Sequence, residues 1–306
     1  MISNKKIQLI HNVSSCYKMK YSLPKVNIYV KRDDTLDFAF GGNKARFAEY
    51  IGKIAVEKNV EKIISFGSIH SNHIRVIACL CNYLGIACDL IILTDDNESR
   101  KSGNFTLISH LDNVELVYCR SSEAHDFIDS FLASQKLCNY LWVPGGGHMK
   151  ESALSYVEVA EEIQMHEKEL DVHFDAVFLP CGTGTTMAGL VFGLQNCNTD
   201  VVGVSVARPI DRCLIEVNNL FNELALEKSE VHEKKIYGNV IPSAIPYGTQ
   251  SESISSIIKN VAITDGFFLD PVYNAKSFLR MSEYLNSNDK YKNVLYLNTG
   301  GSPNLF

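Results

Sequence analysis

The chain has no Cys-x-x-Cys pair and no cysteine–histidine spacing of a zinc site, although its 306 residues include nine cysteines. Their number is odd and their spacing scattered, with Cys79 and Cys81 only two positions apart, so no disulfide framework is expected. Most of these thiols lie in apolar runs and read as small core residues of a reduced, cytoplasm-like compartment. No apolar stretch is long and clean enough for a membrane span. The most hydrophobic region, 77–93, is interrupted by Asn82, Gly85 and Asp89, and reads as a helix end followed by a buried strand. The first residues, Met1-Ile2-Ser3-Asn4-Lys5-Lys6-Ile7, lack the apolar core and small-residue cleavage site of a secretory signal. A soluble protein with no membrane partner is expected. Basic excess is missing as well: a net charge of −6 offers no general attraction to nucleic acid or anionic lipid. Internal repeats and low-complexity tracts are absent.

What is present is alternation. Hydrophobic residues make up 46% and charged residues 21%, an ordinary globular balance, and the length suggests two domains. Short apolar runs suited to buried parallel strands are Ile63-Ile64-Ser65-Phe66, Leu90-Ile91-Ile92-Leu93, Val114-Glu115-Leu116-Val117-Tyr118 and Tyr140-Leu141-Trp142-Val143. Three more are Ala176-Val177-Phe178-Leu179, Val201-Val202-Gly203-Val204 and Val294-Leu295-Tyr296-Leu297. Helix-length segments fall at 47–56, 72–83, 102–110, 122–136, 151–166 and 186–195, and 218–235 looks like a surface helix plus loop. This order predicts an α/β protein of open, mostly parallel sheets flanked by helices. Residues 50–144 would form a small inserted α/β domain, 1–49 and 145–306 the large one, with a ligand site in the cleft between them.

Four segments could carry chemistry. In Phe40-Gly41-Gly42-Asn43-Lys44, two glycines allow close backbone approach and Lys44 stands just before a helix. It is either a solvated turn residue or a partly desolvated amine able to form a Schiff base, with pyridoxal phosphate the natural partner. In Gly67-Ser68-Ile69-His70-Ser71-Asn72-His73, the start of a helix offers N–H groups to an anion, or Ser71 or Asn72 is simply its N-cap. Pro180-Cys181-Gly182-Thr183-Gly184-Thr185-Thr186 is a strand-to-helix turn rich in donors for a phosphate. No Gly-Lys-Ser/Thr follows it, and Met187 occupies the third-glycine position of a dinucleotide fingerprint, so a compact phosphate monoester fits better. Asn298-Thr299-Gly300-Gly301-Ser302-Pro303 either ends the last strand or sets Thr299 against a bound ring.

Together these pieces resemble the fold-type II pyridoxal-phosphate enzymes, in the branch holding D-cysteine desulfhydrase and 1-aminocyclopropane-1-carboxylate deaminase. The resemblance runs from Lys31-Arg32-Asp33-Asp34 through the segments above to Tyr247-Gly248, Asp270-Pro271-Val272-Tyr273 and Thr299-Gly300-Gly301. It implies a tryptophan-synthase-β-like fold with pyridoxal 5'-phosphate in the large domain, a small amino acid as substrate, and a cytoplasmic homodimer. It further implies that Lys44 carries the cofactor and shuttles the Cα proton, and that Asn72 bonds the phenolic oxygen. Ser71, Asn72 and His73 would meet the substrate, Gly182, Thr183, Gly184, Thr185 and Thr186 the phosphate, and Thr299 the ring. Tyr247 and Tyr273 match the family's two active-site tyrosines.

Within that branch the deaminase has a glutamate after the second tyrosine, and this chain has Asn274. An amide cannot stabilise a protonated ring nitrogen as a carboxylate does, which points to β-elimination from D-cysteine or a similar β-substituted alanine, giving pyruvate and ammonia. Racemisation, β-replacement, cyclopropane opening and a non-catalytic binding role are the alternatives. Three departures from the family pattern stand out. Phe47 replaces a second, phosphate-holding lysine, which leaves the phosphate to the loop donors and Arg46; His70 replaces a glutamine; and Gly145-Gly146-Gly147-His148 replaces a Gly-Gly-Ser-Asn-like turn.

Overall fold

The structure is a computed structural model that describes residues 6–95, 103–135, 137–226 and 240–306. In chain order its first elements are β1 (Cys16–Lys18), β2 (Asn27–Arg32), α1 (Asn43–Glu57), β3 (Lys62–Ser68), α2 (Asn72–Leu84), β4 (Ala87–Leu93) and α3 (Asn104–Ile108). There follow β5 (Val114–Cys119), α4 (Ala124–Ser134), β6 (Tyr140–Val143), α5 (Lys150–Leu170), β7 (Ala176–Cys181) and α6 (Thr185–Gly193). The last are β8 (Asp200–Ser205), α7 (Ile210–Ala225), β9 (Val240–Pro242), α8 (Glu252–Asp265), α9 (Asn274–Asn286) and β10 (Asn293–Asn298).

The strands form two sheets. One has six strands in the order β1-β2-β10-β7-β8-β9, parallel except for β1 against β2; the other has four parallel strands in the order β5-β4-β3-β6. Successive residues of a strand face opposite sides. On β7 and β10, Ala176, Phe178, Val294 and Tyr296 therefore enter one core with α8 and α9, while Val177, Leu179, Leu295 and Leu297 enter another with α5 and α6. Burial on both faces is why these strands read as unbroken apolar runs. The four-stranded sheet does the same: Ile64 and Ile91 pack under α4, and Ile63, Leu90, Ile92 and Val143 pack toward the large core.

All seven expected strands are present, and each of the six helical segments overlaps one of α1 to α6, with α1 and α5 running beyond the expected bounds at both ends. The expected start at 102 and end at 136 lie outside the described residues, as does the part of 218–235 beyond 226. Three strands had no clear signal in the sequence. β1 and β9 are three residues long, and β2 ends in the two cations Lys31-Arg32, which break its apolar run. Lys31 is nevertheless fully buried, its charge met by Glu162 at 2.6 Å. α8 and α9 were likewise not separated from loop. α7 is more than a surface helix, since Cys213, Val217, Leu220, Phe221 and Leu224 are buried.

The expected position of Lys44 needs correction. α1 begins at Asn43, so Lys44 lies in its first turn rather than in a loop before residue 47. The Gly41-Gly42 turn forces this early start. Gly42 has φ +86 and a Cβ there would sit 2.5 Å from the Thr299 carbonyl oxygen, to which the Asn43 N–H donates at 3.0 Å. Gly300 is equally constrained, a Cβ there falling 2.6 Å from Gly42 Cα. Two backbones in contact thus dock the start of α1 against the end of β10.

Among the described residues no helix is long and apolar enough to cross a membrane, and no group of three or more histidines, cysteines or acids could hold a metal. None of the nine cysteines is in a disulfide.

Candidate active site

Lys44, Ser71, Asn72, His73, the run Gly182 to Thr186, Tyr273 and Thr299 line one cavity of about 210 Å³. They come from the first turns of α1, α2 and α6, the N-cap of α9 and the end of β10. Strand carboxyl ends and helix amino ends meet here, as expected where parallel strands feed helices. Tyr247 is the one expected site residue outside the cavity. It is half-exposed and lines a second cavity with Ser68, His70 and Gln250, touching the first through a 3.0 Å hydroxyl contact to Tyr273.

Lys44 donates to the Gly146 carbonyl at 2.8 Å, and its Nζ lies 4.5 Å from the centre of the Phe47 ring. Burial without a carboxylate partner lowers its pKa to about 7, against a small opposing effect of Cys181. A substantial fraction is therefore free amine at neutral pH. Position 47 supplies a greasy flank that desolvates the amine instead of a second cation.

Ser71 caps α2, its hydroxyl accepting the His73 N–H at 3.2 Å. Asn72 uses its Oδ1 to accept from Asn104 at 3.0 Å and from Arg75 at 3.4 Å, which leaves the amide NH₂ as the group to donate. His73 lines the cavity, but its Nε2 is engaged with the Ser65 hydroxyl at 2.8 Å. Burial, with the nearby Lys44, lowers its pKa to about 3, so it is a neutral wall residue.

α6 begins without a side-chain cap after Gly184, whose φ is +91. Its first N–H groups, with the hydroxyls of Thr183, Thr185 and Thr186, form a donor-rich cradle. Asn43 holds the Thr186 hydroxyl at 3.0 Å and His148 the Thr185 hydroxyl at 3.0 Å, so both flanks are fixed. Asn43, Gly146, His148 and Arg208 were not singled out for these positions, because only the folded chain brings them to α6.

Arg46 is not available to a phosphate. It is 3% exposed and binds Asp33 at 2.8 and 2.9 Å and Glu162 at 2.7 and 2.8 Å. Burial alone would raise the Asp33 carboxyl, but Arg46 and Lys31 hold it down at about 2. Asn274 is also fully committed. Its NH₂ donates to Asp270 at 2.7 Å and to the Gly300 carbonyl at 2.6 Å, and its Oδ1 accepts from the Thr299 N–H at 3.0 Å and Tyr296 at 3.1 Å.

A family model described as pyridoxal-phosphate dependent enzyme matches residues 20–300. The chain belongs to that family. It is 31% identical over 296 residues to D-cysteine desulfhydrase of Serratia proteamaculans (strain 568), covering 91% of this chain and 88% of the relative. It is 30% identical over 294 residues to the putative 1-aminocyclopropane-1-carboxylate deaminase of Pyrococcus abyssi (strain GE5 / Orsay), covering 92% and 86%. A crystal structure of an ACC deaminase homologue superposes with a TM-score of 0.87 at 26% identity, over 99% of this chain and 94% of that one. Pyridoxal-phosphate-dependent aspartate racemase shares the fold at a TM-score of 0.67 and 13% identity. The fold is that of the fold-type II enzymes, the cofactor is pyridoxal phosphate, and the chain is a lyase of this family. The residues present fit the cofactor: an amine with a pKa of about 7, an asparagine oriented to donate and an uncapped helix start share one cavity.

Proposed function

We propose that the protein eliminates the β-substituent of a small amino acid, D-cysteine or a similar β-substituted alanine, releasing pyruvate, ammonia and, from cysteine, sulfide. Bound pyridoxal phosphate supplies the aldehyde that takes the substrate amine and the ring that receives the electron pair from Cα. The rest is done by side chains. The cradle Gly182 to Thr186 holds the phosphate, Asn72 donates to the phenolic oxygen, and Thr299 stands beside the ring. The α2 amino terminus and the Ser71 hydroxyl receive the substrate carboxylate, with Asn72 and His73 shaping that wall. Lys44, once its amine is free, takes the Cα proton. Tyr273, backed by Tyr247, passes a proton to the leaving group.

The observation that carries this reading is the single cavity in which Lys44, its pKa lowered to about 7, meets both the α2 and the α6 amino termini. D-cysteine is favoured over a cyclopropane substrate because position 274 holds an amide saturated by structural hydrogen bonds, with no carboxylate to stabilise a protonated ring nitrogen. In this proposal residues 50–144 act as a separate small domain over the cofactor domain, and the protein works as a cytoplasmic homodimer.

The test is an absorbance spectrum of wild type and Lys44→Ala reconstituted with pyridoxal phosphate, followed by assays with D- and L-cysteine. Wild type should show a visible band that borohydride fixes covalently, and Lys44→Ala should not. Pyruvate with sulfide from D-cysteine supports elimination. A fixed band with inversion of the amino acid and no pyruvate replaces it with racemisation.

A further inference from the structure

We propose that Arg208 is the cation that balances the cofactor's phosphate, in the place left empty by Phe47. This rests on the reading that the α6 cradle takes the phosphate of pyridoxal phosphate. Neutral donors and a helix end amount to a fraction of a unit charge, whereas a phosphate monoester carries nearly two negative charges at neutral pH. A full cation is therefore needed nearby.

Among the described residues lining the cavity, the basic side chains are Lys44, His73 and Arg208. Lys44 is committed to the aldehyde, and His73 is neutral with its Nε2 on Ser65. Arg208 remains. The topology puts it beside the cradle: Cys181 and Ser205 are opposite each other in the parallel β7–β8 ladder. The residues that follow them, Gly182 to Thr186 and Val206 to Arg208, consequently leave the sheet side by side. The Ser205 hydroxyl donates to the Arg208 carbonyl at 2.5 Å and fixes that turn.

The electrostatics around Arg208 are unfinished. Glu216 on α7 meets Arg212 at 2.6 Å and His148 Nε2 at 2.9 Å, while Nη1 of Arg208 stays 3.7 Å away, beyond a hydrogen bond. That nitrogen is buried and has no hydrogen-bond partner. The Arg208 side chain is 32% exposed and within ion-pair range of Glu216, but its buried Nη1 lacks an acceptor, which is costly, and two guanidiniums here share one carboxylate. A phosphate oxygen in the cradle would supply the missing acceptor. His148, bonded between Glu216 and the Thr185 hydroxyl, ties the same acid to the cradle and acts as a positioning residue.

The test compares affinity for pyridoxal phosphate with affinity for pyridoxal, which lacks the phosphate, in wild type, Arg208→Gln and Arg208→Lys. Arg208→Gln should lose roughly 10- to 100-fold for pyridoxal phosphate, the worth of one charge-assisted hydrogen bond, with pyridoxal unchanged. Arg208→Lys should recover most of the loss. The phosphorus NMR shift of the bound cofactor is an independent readout: in wild type it should stay that of the dianion below the usual second pKa of about 6. In Arg208→Gln it should titrate at higher pH. If Arg208→Gln weakens both ligands equally, or neither, the assignment to the phosphate is wrong. If a variant fails to fold, a wild-type phosphorus signal titrating near 6 overturns the proposal by itself. Absence of any borohydride-fixed adduct in wild type would instead remove the cofactor reading and this assignment with it.

Discussion

The ammonium nitrogen of Lys44 donates to the carbonyl oxygen of Gly146 at 2.8 Å, and no carboxylate shares in the contact. Gly146 can present that carbonyl because it has φ +71, and a Cβ there would lie 2.6 Å from Thr183 Cγ2. A carbonyl orients the amine without adding the charge that would hold its proton. Covalent capture of pyridoxal phosphate should therefore rise about tenfold per pH unit up to about 7 and level off above it, where an ordinary lysine would rise to about 10. Stopped-flow absorbance between pH 5.5 and 9 measures it. An inflection near 10 would refute the desolvated amine.

The same lowered pKa has a cost in stability. Between about 7 and the unfolded value of 10.5 the unfolded chain binds the Lys44 proton and the folded chain does not, so this group makes stability rise with pH in that window. Below about 7 the penalty is fully present. The apo form of Lys44→Met should consequently melt higher than wild type at pH 6.5, by at least the roughly 2–4 °C that 1 kcal/mol is worth in a large domain, while losing all turnover. Calorimetry of the two apo proteins at matched pH decides this.

Tyr273 and Tyr247, whose hydroxyls lie 3.0 Å apart, are unequal members of the proposed proton relay. Burial, with Tyr247 and Asp270 nearby, raises the Tyr273 hydroxyl well above its ordinary pKa, so it stays protonated as a donor. Tyr247 is half-exposed and reaches the cavity only through Tyr273. Tyr273→Phe should lower kcat by about 100-fold, in the range of general acid catalysis, with cofactor affinity retained. Tyr247→Phe should cost about 10-fold or less, since water can replace an exposed partner. Equal losses would argue against the order of the relay.

Arg46 separates a structural cation from a functional one. With Asp33, Glu162, Lys31 and the Tyr156 hydroxyl it forms a buried network under α1, the helix that carries Lys44. Arg46→Met leaves the buried Asp33 carboxylate without its direct ion pair, while Glu162 keeps Lys31, and should destabilise the protein by about 3–5 kcal/mol. The fraction that folds should bind pyridoxal phosphate as tightly as wild type. Urea unfolding together with cofactor titration tests both halves, and a selective loss of cofactor affinity would overturn the assignment.

Seven strands were legible in the sequence, most of them because burial on both faces writes itself as nearly unbroken apolar runs, and the loops because Gly41-Gly42, Gly182 and Gly184 punctuate strand ends. What lay hidden depends on partners distant in sequence. Nothing local shows that Arg46 is saturated by Asp33 and Glu162 while Arg208, 162 residues further on, reaches the cradle with a free N–H. The burial of Lys31 is equally hidden, because its pairing with Glu162 appears only after folding. Phe47 was visible as a missing cation. Its compensation needed the β7–β8 register.

His73 sets an acid limit. Its pKa falls from 6.5 unfolded to about 3 folded, chiefly through burial, so below about 6.5 the unfolded chain gains a proton that the folded chain refuses. Stability is lost progressively as pH drops from 6.5 toward 3. His73→Gln should flatten that part of the stability curve, at the expense of a weaker bond to Ser65 and roughly 1 kcal/mol at pH 7. Chemical denaturation of both proteins at pH 4.5 and pH 7 tests it, and parallel losses on acidification would show that other groups dominate.

Asn274→Glu probes why position 274 carries no carboxylate. The Asn274 amide nitrogen sits 2.7 Å from Asp270 Oδ1, and Asp270 is itself buried, with its pKa raised by burial despite its N–H donors. A glutamate there would place two carboxyl groups in one buried site, where one must stay protonated, and would leave the Gly300 carbonyl without its donor. The variant should be destabilised by about 2–4 kcal/mol and should not gain cyclopropane-opening activity, because the new acid would be held neutral by its neighbour. Adding Asp270→Asn removes that neighbour and should lower the new glutamate's pKa. The double variant should recover at least half of the lost stability, read from urea midpoints at pH 7. No recovery would mean that packing, rather than charge, excludes a carboxylate at position 274.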